Sequence, residues 1–219
     1  MTTSVAFLGG TGDQGRGLAR RYALAGHPVL IGSRSVERAE AAASELLSSL
    51  PAGADVRGAT NLDAARAADL VVVAVPWEGH GALLADVAEA LAGKIVIDCV
   101  NPLGFDGQGS FALPVAEGSA AEQAAGLLPD SRVVAAFHHV SAVLLLDPSI
   151  DSLDTDVLVL GDDRDATDTV QALVDEIPGM RGVYAGRLRN AHQVEALTAN
   201  LIAVNRRYKA HAGLRVTDV

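Results

Sequence analysis

The sequence is poor in several residue types, and each shortage excludes a class of protein. The single cysteine, Cys99, among 219 residues excludes a disulfide framework and a cysteine-rich metal centre, so no metal site is expected. Aromatic residues make up only 4%. No apolar run reaches the roughly 18 residues that a membrane-spanning helix requires. Since the first residues also lack the basic start of a signal peptide, we expect a cytoplasmic protein that does not bind membranes.

Basic residues are scarce as well. The chain has 17 lysines and arginines against 27 aspartates and glutamates, for a formal net charge of −10. This balance argues against a nucleic-acid partner, which requires a basic surface. The charge is uneven, because residues 181–219 carry seven basic and two acidic side chains. That basic end is either a set of cations near a helix C-terminus or a local site for an acidic ligand.

Short apolar runs rich in β-branched residues alternate with stretches rich in alanine and leucine. Several runs, such as Leu70–Val75, are continuously apolar, as is typical of parallel strands buried on both faces. The alternation predicts an α/β fold with a doubly wound parallel sheet, which binds ligands at the carboxyl ends of its strands. We expect a nucleotide-binding domain over residues 1–140. Residues 141–219 are expected to form a smaller part with added strands and a long final helix over Asn190–Ala212, and Phe105–Pro114 is expected to be a loop.

A glycine-rich segment follows the first apolar run and opens the first helical stretch. Gly10, Gly12 and Gly15 have the spacing G-x-G-x-x-G. In this motif the first glycine makes a tight turn, the second admits a pyrophosphate and the third lets the helix pack on the strand. Unpaired N–H groups at the helix N-terminus would face the anion. The motif and its position predict a Rossmann dinucleotide site that includes Gly10, Thr11, Gly12, Asp13, Gln14 and Gly15.

The end of the second strand selects the cofactor. A site for NAD would place an acidic residue here for the ribose hydroxyl. Instead the strand ends in Gly32-Ser33-Arg34, and Arg38 follows one helical turn later. Hydroxyl and guanidinium donors suit a 2′-phosphate, so the residues favour NADP(H). In the alternative interpretation, Ser33 only caps the next helix and both arginines are solvated.

The motifs of several enzyme classes are missing. The few tyrosines and lysines form no Tyr-x-x-x-Lys pair, and the chain has no room for the large helical domain of the hydroxyacid dehydrogenases. It also has no HExxH motif, nucleophile elbow or P-loop. These absences favour a reaction without a dedicated proton donor. Hydride transfer between two organic cofactors fits, because positioning two rings face to face supplies most of the catalysis.

The motifs together resemble the coenzyme F420-dependent NADP oxidoreductases. The combination of Gly-Gly-Thr-Gly, Gly-Ser-Arg and Pro-Trp-Glu is fairly specific, and the resemblance covers nearly the whole chain. The segments that carry it are Gly9–Ala19, Gly32–Arg34, Val75–Glu78, Val133–His138, Gly161–Asp163 and Val194–Thr198.

The resemblance implies direct hydride exchange between NADP(H) and the deazaflavin of coenzyme F420. It implies a small C-terminal helical piece that closes over the cofactor crevice. It also implies that Thr11, Ser33, Arg34 and Arg38 surround the 2′-phosphate.

The same resemblance places the reacting rings near the ends of later strands. His138, Val140 and Ala142 would sit where the rings meet and position them without acid or base chemistry. The segment Val75, Pro76 and Trp77 would lie beside the nicotinamide, and Asn101 could border the same crevice. From the residues alone, His138 could be an ordinary loop histidine, Trp77 a packing residue and Asn101 part of a simple turn.

The final helix carries the remaining candidates. The resemblance includes Thr198, and it makes the basic end a candidate contact for anionic F420. The candidate residues for those contacts are Arg189, His192, Arg206 and Arg207.

Two other functions and one assembly state stay open at this stage. The chain could be an NADPH-dependent reductase of another flavin, quinone or ferric acceptor, or a non-catalytic NADP(H) sensor. Its final helix is apolar on more than one side, at Leu197, Leu201, Ile202 and Val204. We therefore expect a homodimer, although the same residues could pack within one subunit.

Overall fold

The computed structural model describes residues 2–219. Strands and helices alternate along them, except that three strands follow one another between Ile95 and Ala112. The strands are β1 (Val5–Leu8), β2 (Val29–Ser33), β3 (Val56–Thr60), β4 (Leu70–Val73), β5 (Ile95–Asp98), β6 (Leu103–Asp106), β7 (Gly109–Ala112), β8 (Arg132–Ala135), β9 (Thr155–Gly161) and β10 (Met180–Gly186). The helices are α1 (Asp13–Leu24), α2 (Val36–Leu47), α3 (Asn61–Ala67), α4 (Trp77–Leu91), α5 (Ala120–Leu127), α6 (Ala142–Leu146), α7 (Arg164–Asp175) and α8 (Ala191–Tyr208).

Eight strands form one sheet in the order β10-β9-β8-β5-β4-β1-β2-β3. Six adjacent strands of this sheet are parallel, namely β8, β5, β4, β1, β2 and β3. The next strand, β9, runs antiparallel to β8. This confirms the predicted α/β fold, with a mostly parallel sheet. The strand order reverses between β1 and β4. Such a topological switch point opens a crevice at the carboxyl ends of the strands.

Both faces of the sheet are buried, as the continuous apolar runs predict. In β1, Val5 and Phe7 enter one core, and Ala6 and Leu8 enter the other. Helices α1, α2 and α7 cover the first face, and α3, α4 and α5 cover the second. Side chains that alternate across a strand can all be apolar only when helices lie on both sides.

The expectation of a loop at Phe105–Pro114 is wrong. The segment lies largely in an antiparallel hairpin of β6 and β7. In the turn of this hairpin, Oδ1 of Asp106 accepts the N–H groups of Gln108 and Gly109. The hairpin packs against α8, where the hydroxyl of Ser110 donates to the carbonyl of Ala199 at 3.1 Å. This tertiary support explains why a glycine-rich segment forms strands.

The C-terminal part continues the same sheet. Residues 141–219 contribute α6, α7 and α8, together with β9 and β10. The final helix is shorter than expected, because it ends at Tyr208 and Lys209 adopts a left-handed conformation with φ of 52°. Within residues 2–219, no helix combines the length and hydropathy needed to cross a membrane.

Candidate active site

A crevice of about 490 Å³ lies at the carboxyl ends of β1, β4, β5 and β8. Its position follows from the strand order, since each of these strands ends at the same edge of the sheet. Helix α8 and the residues after it form the opposite wall. The lining residues are Gly12, Asp13, Gln14, Ala74, Val75, Pro76, Cys99, Val100, Asn101, His138, His139, Val140, Ser141, Ala142, Thr198, Leu201, Ile202, Asn205 and Ala212.

The glycine-rich loop is shaped by two close approaches. A Cβ on Gly10 would lie 2.6 Å from the carbonyl oxygen of Phe7, and a Cβ on Gly15 would lie 2.6 Å from Cα of Gly10. The positive φ of the turn, 69°, belongs to Gly9, which corrects the assignment of the tight turn to Gly10. Gly10 closes that turn, because its N–H donates to the carbonyl of Phe7 at 3.0 Å.

Gly12 differs from its neighbours because nothing in the fold crowds it. A Cβ built there would have its nearest neighbour, the carbonyl oxygen of Gly9, at 3.8 Å. Gly12 is the N-cap of α1 and has no side-chain cap, so the N–H groups of the first turn stay available to an anion. Gln14 is fixed beside it by a hydrogen bond to the carbonyl of Phe137 at 3.2 Å. This geometry fits a pyrophosphate.

The residues at the end of β2 fit the 2′-phosphate of the ribose. Ser33 ends β2 and is buried, whereas Arg34 and Arg38 are exposed. Neither guanidinium forms a hydrogen bond or ion pair within residues 2–219. The cap of α2 is Ser35, whose hydroxyl accepts the N–H of Arg38 at 3.3 Å. The interpretation of Ser33 as a helix cap is therefore wrong.

Asn61 supports the loop from below, a role that the sequence did not suggest. Its Oδ1 accepts the N–H of Gly9 at 3.1 Å, and a Cβ on Gly32 would lie 2.8 Å from the same oxygen. Asn61 begins α3 after β3, and it is buried. One amide side chain thus fixes the loop after β1 next to the end of β2.

The segment after β4 divides between the crevice and the core. Val75 and Pro76 line the crevice. Trp77 is not among the lining residues: it begins α4, packs against the core, and its ring centre lies 5.6 Å from that of His80. Of the three predicted residues, Val75 and Pro76 therefore line the crevice, and Trp77 packs against the core instead.

Three predicted residues from distant parts of the chain meet in the crevice. Asn101 donates from Nδ2 to the carbonyl of His138 at 2.8 Å. Thr198 donates from Oγ1 to the same carbonyl at 3.0 Å, and Oδ1 of Asn101 lies 3.4 Å from that hydroxyl. Val140 and Ala142 line the crevice beside them. The loop after β8 is therefore fixed both to β5 and to α8.

The His138 imidazole is buried, and neither of its ring nitrogens has a hydrogen-bond partner within residues 2–219. Burial lowers the pKa of His138 to about 4, although the charge of Asp98 opposes the shift. The ring is therefore neutral near pH 7. Both nitrogens are shielded from solvent as well, so the ring is a buried polar group without a partner, which is costly for the fold.

The wall formed by α8 contains residues that the sequence did not single out as site residues, and it includes Leu201 and Ile202 from the expected dimer surface. Leu201, Ile202 and Asn205 line the crevice, and Ala212 joins them from the chain beyond the helix. Which α8 side chains face the crevice depends on the rotation of the helix about its axis, and tertiary packing determines that rotation. His192 is exposed and does not line the crevice. Arg189, Arg206 and Arg207 are also exposed and do not line it.

A buried polar network lies behind the crevice. His80 and Asp98 are fully buried, and Nε2 of His80 is 2.6 Å from Oδ2 of Asp98. Burial opposes the charging of His80, but the Asp98 carboxylate outweighs it and raises the pKa of the imidazole. Glu195, on α8, accepts the N–H groups of Ala120 and Ala121 at the start of α5. Burial raises the pKa of the Glu195 carboxyl to about 7, against the effect of those donors.

Known proteins resemble this chain over nearly its whole length. Residues 4–102 match the model of a family described as NADP oxidoreductase coenzyme F420-dependent. The chain is 42% identical to the F420-dependent NADP reductase of Methanothermobacter thermautotrophicus, over all of this chain and 97% of that protein. It is 38% identical to the F420-dependent NADP reductase of Methanocaldococcus jannaschii, over 98% of each. A solved structure described as a putative F420-dependent NADP reductase, from Arthrobacter sp. FB24, superposes with a TM-score of 0.83 at 31% identity, over 98% of this chain and 99% of that one.

Proposed function

The chain belongs to the family of coenzyme F420-dependent NADP oxidoreductases, and we propose that it transfers a hydride directly between NADP(H) and coenzyme F420. The observation that carries the proposal is one crevice with two halves. One half, the NADP(H) half, is lined by Gly12, Asp13 and Gln14 of the glycine-rich loop. Ser33, Arg34 and Arg38, at the end of β2, do not line the crevice and would extend this half along the ribose. The other, the acceptor half, is walled by the loop after β8 and by α8.

We assign NADP(H) to the first half on the chemistry of its donors. Gly12 and the first turn of α1 would receive the pyrophosphate, since no Cβ fills that space at Gly12 and the N–H groups of the first turn are available. The unpaired guanidinium groups of Arg34 and Arg38 would receive the 2′-phosphate, with Ser33 and Thr11 beside them. Val75 and Pro76 would border the nicotinamide. The residues present therefore fit this cofactor.

We assign the F420 ring to the acceptor half. Val140, Ala142, Leu201 and Ile202 give it apolar walls, while Thr198 and Asn101 hold the backbone of His138 in place. His138 would act through this backbone position and not through its imidazole, because both ring nitrogens are shielded from solvent. Arg189, His192, Arg206 and Arg207 remain candidates for its anionic tail only.

The protein's task in this reaction is to position two rings. When bound, the nicotinamide and deazaflavin rings supply the hydride donor and acceptor. No lysine, arginine or tyrosine lines the crevice within residues 2–219, and the pKa of about 4 leaves His138 uncharged near pH 7. The walls of the crevice would hold the two ring faces within contact distance.

The proposal is tested by mixing the purified protein with NADPH and oxidised F420 and following the visible absorbance of the deazaflavin. We expect bleaching with NADPH and little with NADH. If NADPH binds tightly but F420 is not bleached, F420 is not the acceptor. The same assay with a flavin, a quinone and a ferric chelate would then identify another acceptor, and failure with all of them would indicate a sensor.

We further propose that the protein is a homodimer located in the cytoplasm. Phe105 and Phe111 on the hairpin, and Val204 and Tyr208 on α8, are large hydrophobic side chains left exposed. Because the hairpin packs on α8 through Ser110, these side chains belong to two adjoining elements. Sedimentation analysis of the wild type and of Val204→Glu tests the dimer: we expect a dimer that the variant weakens, and a monomeric wild type would contradict it.

We also propose that residues 141–219 are the part that closes the crevice. Helix α8 and Ala212 provide its outer wall, while β9 and β10 join that part to the sheet. The wall and the sheet are linked by the hydrogen bond from Thr198 to the carbonyl of His138.

A further inference from the structure

The chain folds back on itself after α8. The left-handed Lys209 ends the helix, and the N–H of Ala212 then donates to Oδ1 of Asn205 at 2.6 Å. Asn205 and Ala212 both line the crevice. The C-terminal tail, defined as residues 209–219, therefore starts at the wall of the acceptor half.

The tail is fastened to the sheet at a buried carboxylate. Asp156, in β9, is fully buried and accepts from Arg181 at 2.7 Å, from Arg215 at 2.6 Å and from the N–H of Val216 at 2.7 Å. Arg215 is also paired with Asp154. A carboxylate buried between two guanidinium groups is sensitive to the loss of either one, because the remaining charges are then poorly compensated.

Backbone contacts hold the same segment against β9. The N–H of Leu214 donates to Oγ1 of Thr155 at 3.1 Å, and its carbonyl accepts the N–H of Asp156 at 2.8 Å. A Cβ on Gly213 would lie 2.6 Å from Oγ1 of Thr155. The approach of the tail to β9 is therefore close enough to require a glycine.

We infer that the C-terminal tail is a strap that positions α8 as the wall of the acceptor half, with Arg215 as its positioning residue. This inference rests on the proposed function. The tail is bonded to α8 at Asn205 and to β9 at Thr155 and Asp156, so it sets the distance between the helix and the sheet. The glycine-rich loop and β2 make no hydrogen bond or ion pair with the tail in the part of the chain described. The strap therefore acts on the acceptor and not on NADP(H).

The test compares Arg215→Met with the wild type in steady-state kinetics and in NADPH titration. Methionine keeps a long apolar stem and removes the guanidinium. We expect the KM for F420 to rise about fivefold, with the Kd for NADPH unchanged. Arg215→Lys keeps the charge but loses the bidentate geometry of the guanidinium. Its KM for F420 should lie between those of the wild type and of Arg215→Met. Arg164→Met, which removes an exposed guanidinium on α7, should leave both constants unchanged.

Amide hydrogen exchange supplies a measurement that needs no acceptor. Arg215→Met should speed exchange over residues 201–208 and 212–216 while α1 and α4 keep wild-type protection. Wild-type exchange and kinetics in Arg215→Met, or an equal loss toward both cofactors, would overturn the strap. If Arg215→Met does not fold, the same exchange and kinetic measurements on Arg215→Lys test the strap. If the wild type fails to reduce F420, the proposed function fails, and the exchange experiment still decides whether the tail holds α8.

Discussion

The hydroxyl of Thr198 donates to the backbone carbonyl of His138 across 3.0 Å, although 60 residues separate them in the chain. The contact joins α8 to the loop after β8, where Asn101 donates to the same carbonyl. The imidazole of His138 makes no hydrogen bond within residues 2–219. Thr198 and Asn101 therefore set the backbone position of a residue that lines the crevice.

Replacing Thr198 with valine should weaken acceptor binding. The change keeps the shape of the side chain and removes one hydrogen bond, worth about 1 kcal/mol, or roughly fivefold in an equilibrium constant. We expect a KM for F420 about fivefold higher and an unchanged Kd for NADPH, measured by fluorescence titration. Thr198→Ser should restore the wild-type value. If the change weakened NADPH binding more than it raised the KM for F420, Thr198 would belong to the NADP(H) half and not to the acceptor half.

Gly12 and Gly15 should respond differently to replacement by alanine. Gly12 has room for a methyl group in the free protein, so Gly12→Ala should lower the free energy of unfolding by no more than about 1 kcal/mol. It should weaken NADPH binding by at least about tenfold, because the methyl group occupies the space needed by the pyrophosphate.

Gly15→Ala is the matched comparison. Its Cβ would press on Cα of Gly10 at 2.6 Å, which should lower the free energy of unfolding by about 1–3 kcal/mol. Urea unfolding and NADPH titration measure both variants. Tight NADPH binding by Gly12→Ala would show that the pyrophosphate lies elsewhere.

Arg34→Ala should change cofactor selectivity. A charge-assisted hydrogen bond to phosphate is worth roughly 1.5–3 kcal/mol, so NADPH affinity should fall about 10- to 150-fold. NADH lacks the 2′-phosphate and its affinity should be unaffected. Arg57→Ala, which removes an exposed guanidinium on β3, serves as the control. Equal losses for NADPH and NADH would contradict the assignment of the 2′-phosphate to Arg34.

The buried titratable groups predict how stability depends on pH. The pKa of both His138 and His139 falls from 6.5 to about 4 on burial, so the unfolded chain binds more protons between those values and stability rises with pH there. Glu195 acts in the opposite direction, because burial raises its pKa from 4.5 to about 7. The folded state then holds the extra proton, and this contribution is lost as pH rises.

Glu195→Gln should therefore make the rise of stability between pH 4.5 and 6.5 steeper than in the wild type. The substitution lowers stability overall, since the two N–H groups of α5 bond to different carboxylate oxygens and the NH2 group that replaces one of them cannot accept. The slope is therefore the informative quantity. Chemical unfolding followed by circular dichroism at several pH values gives that slope. Identical slopes for both proteins would show that Glu195 does not titrate in this range.

Much of the sheet could be predicted because its strands are chemically distinctive. A run such as Leu70–Val73 is apolar on both sides, and only a buried parallel strand accommodates that pattern. The hairpin of β6 and β7 could not be found in this way. Its short strands include Gly104 and Gly109, and their support comes from α8, which is far along the chain.

From the residues alone, the candidate site was most predictable where residues follow strands, whereas Thr198 on α8 came from the family resemblance. Gly12, Asn101 and His138 follow β1, β5 and β8, so the sheet brings them to one edge whatever else packs there. The sequence does not give the rotation of a helix with this precision. It therefore suggested His192, which is exposed, and did not single out Asn205, which faces the crevice.

Direct hydride transfer is the central claim, and isotopic labelling tests it most directly. NADPH carrying deuterium at C4 of the nicotinamide, prepared separately with the label on each face, is mixed with the protein and oxidised F420 in ordinary water. Mass spectrometry of the reduced F420 then shows whether the label has moved. We predict that one of the two labelled forms gives deuterated F420 and the other does not. Reduced F420 without deuterium from both forms would contradict direct transfer.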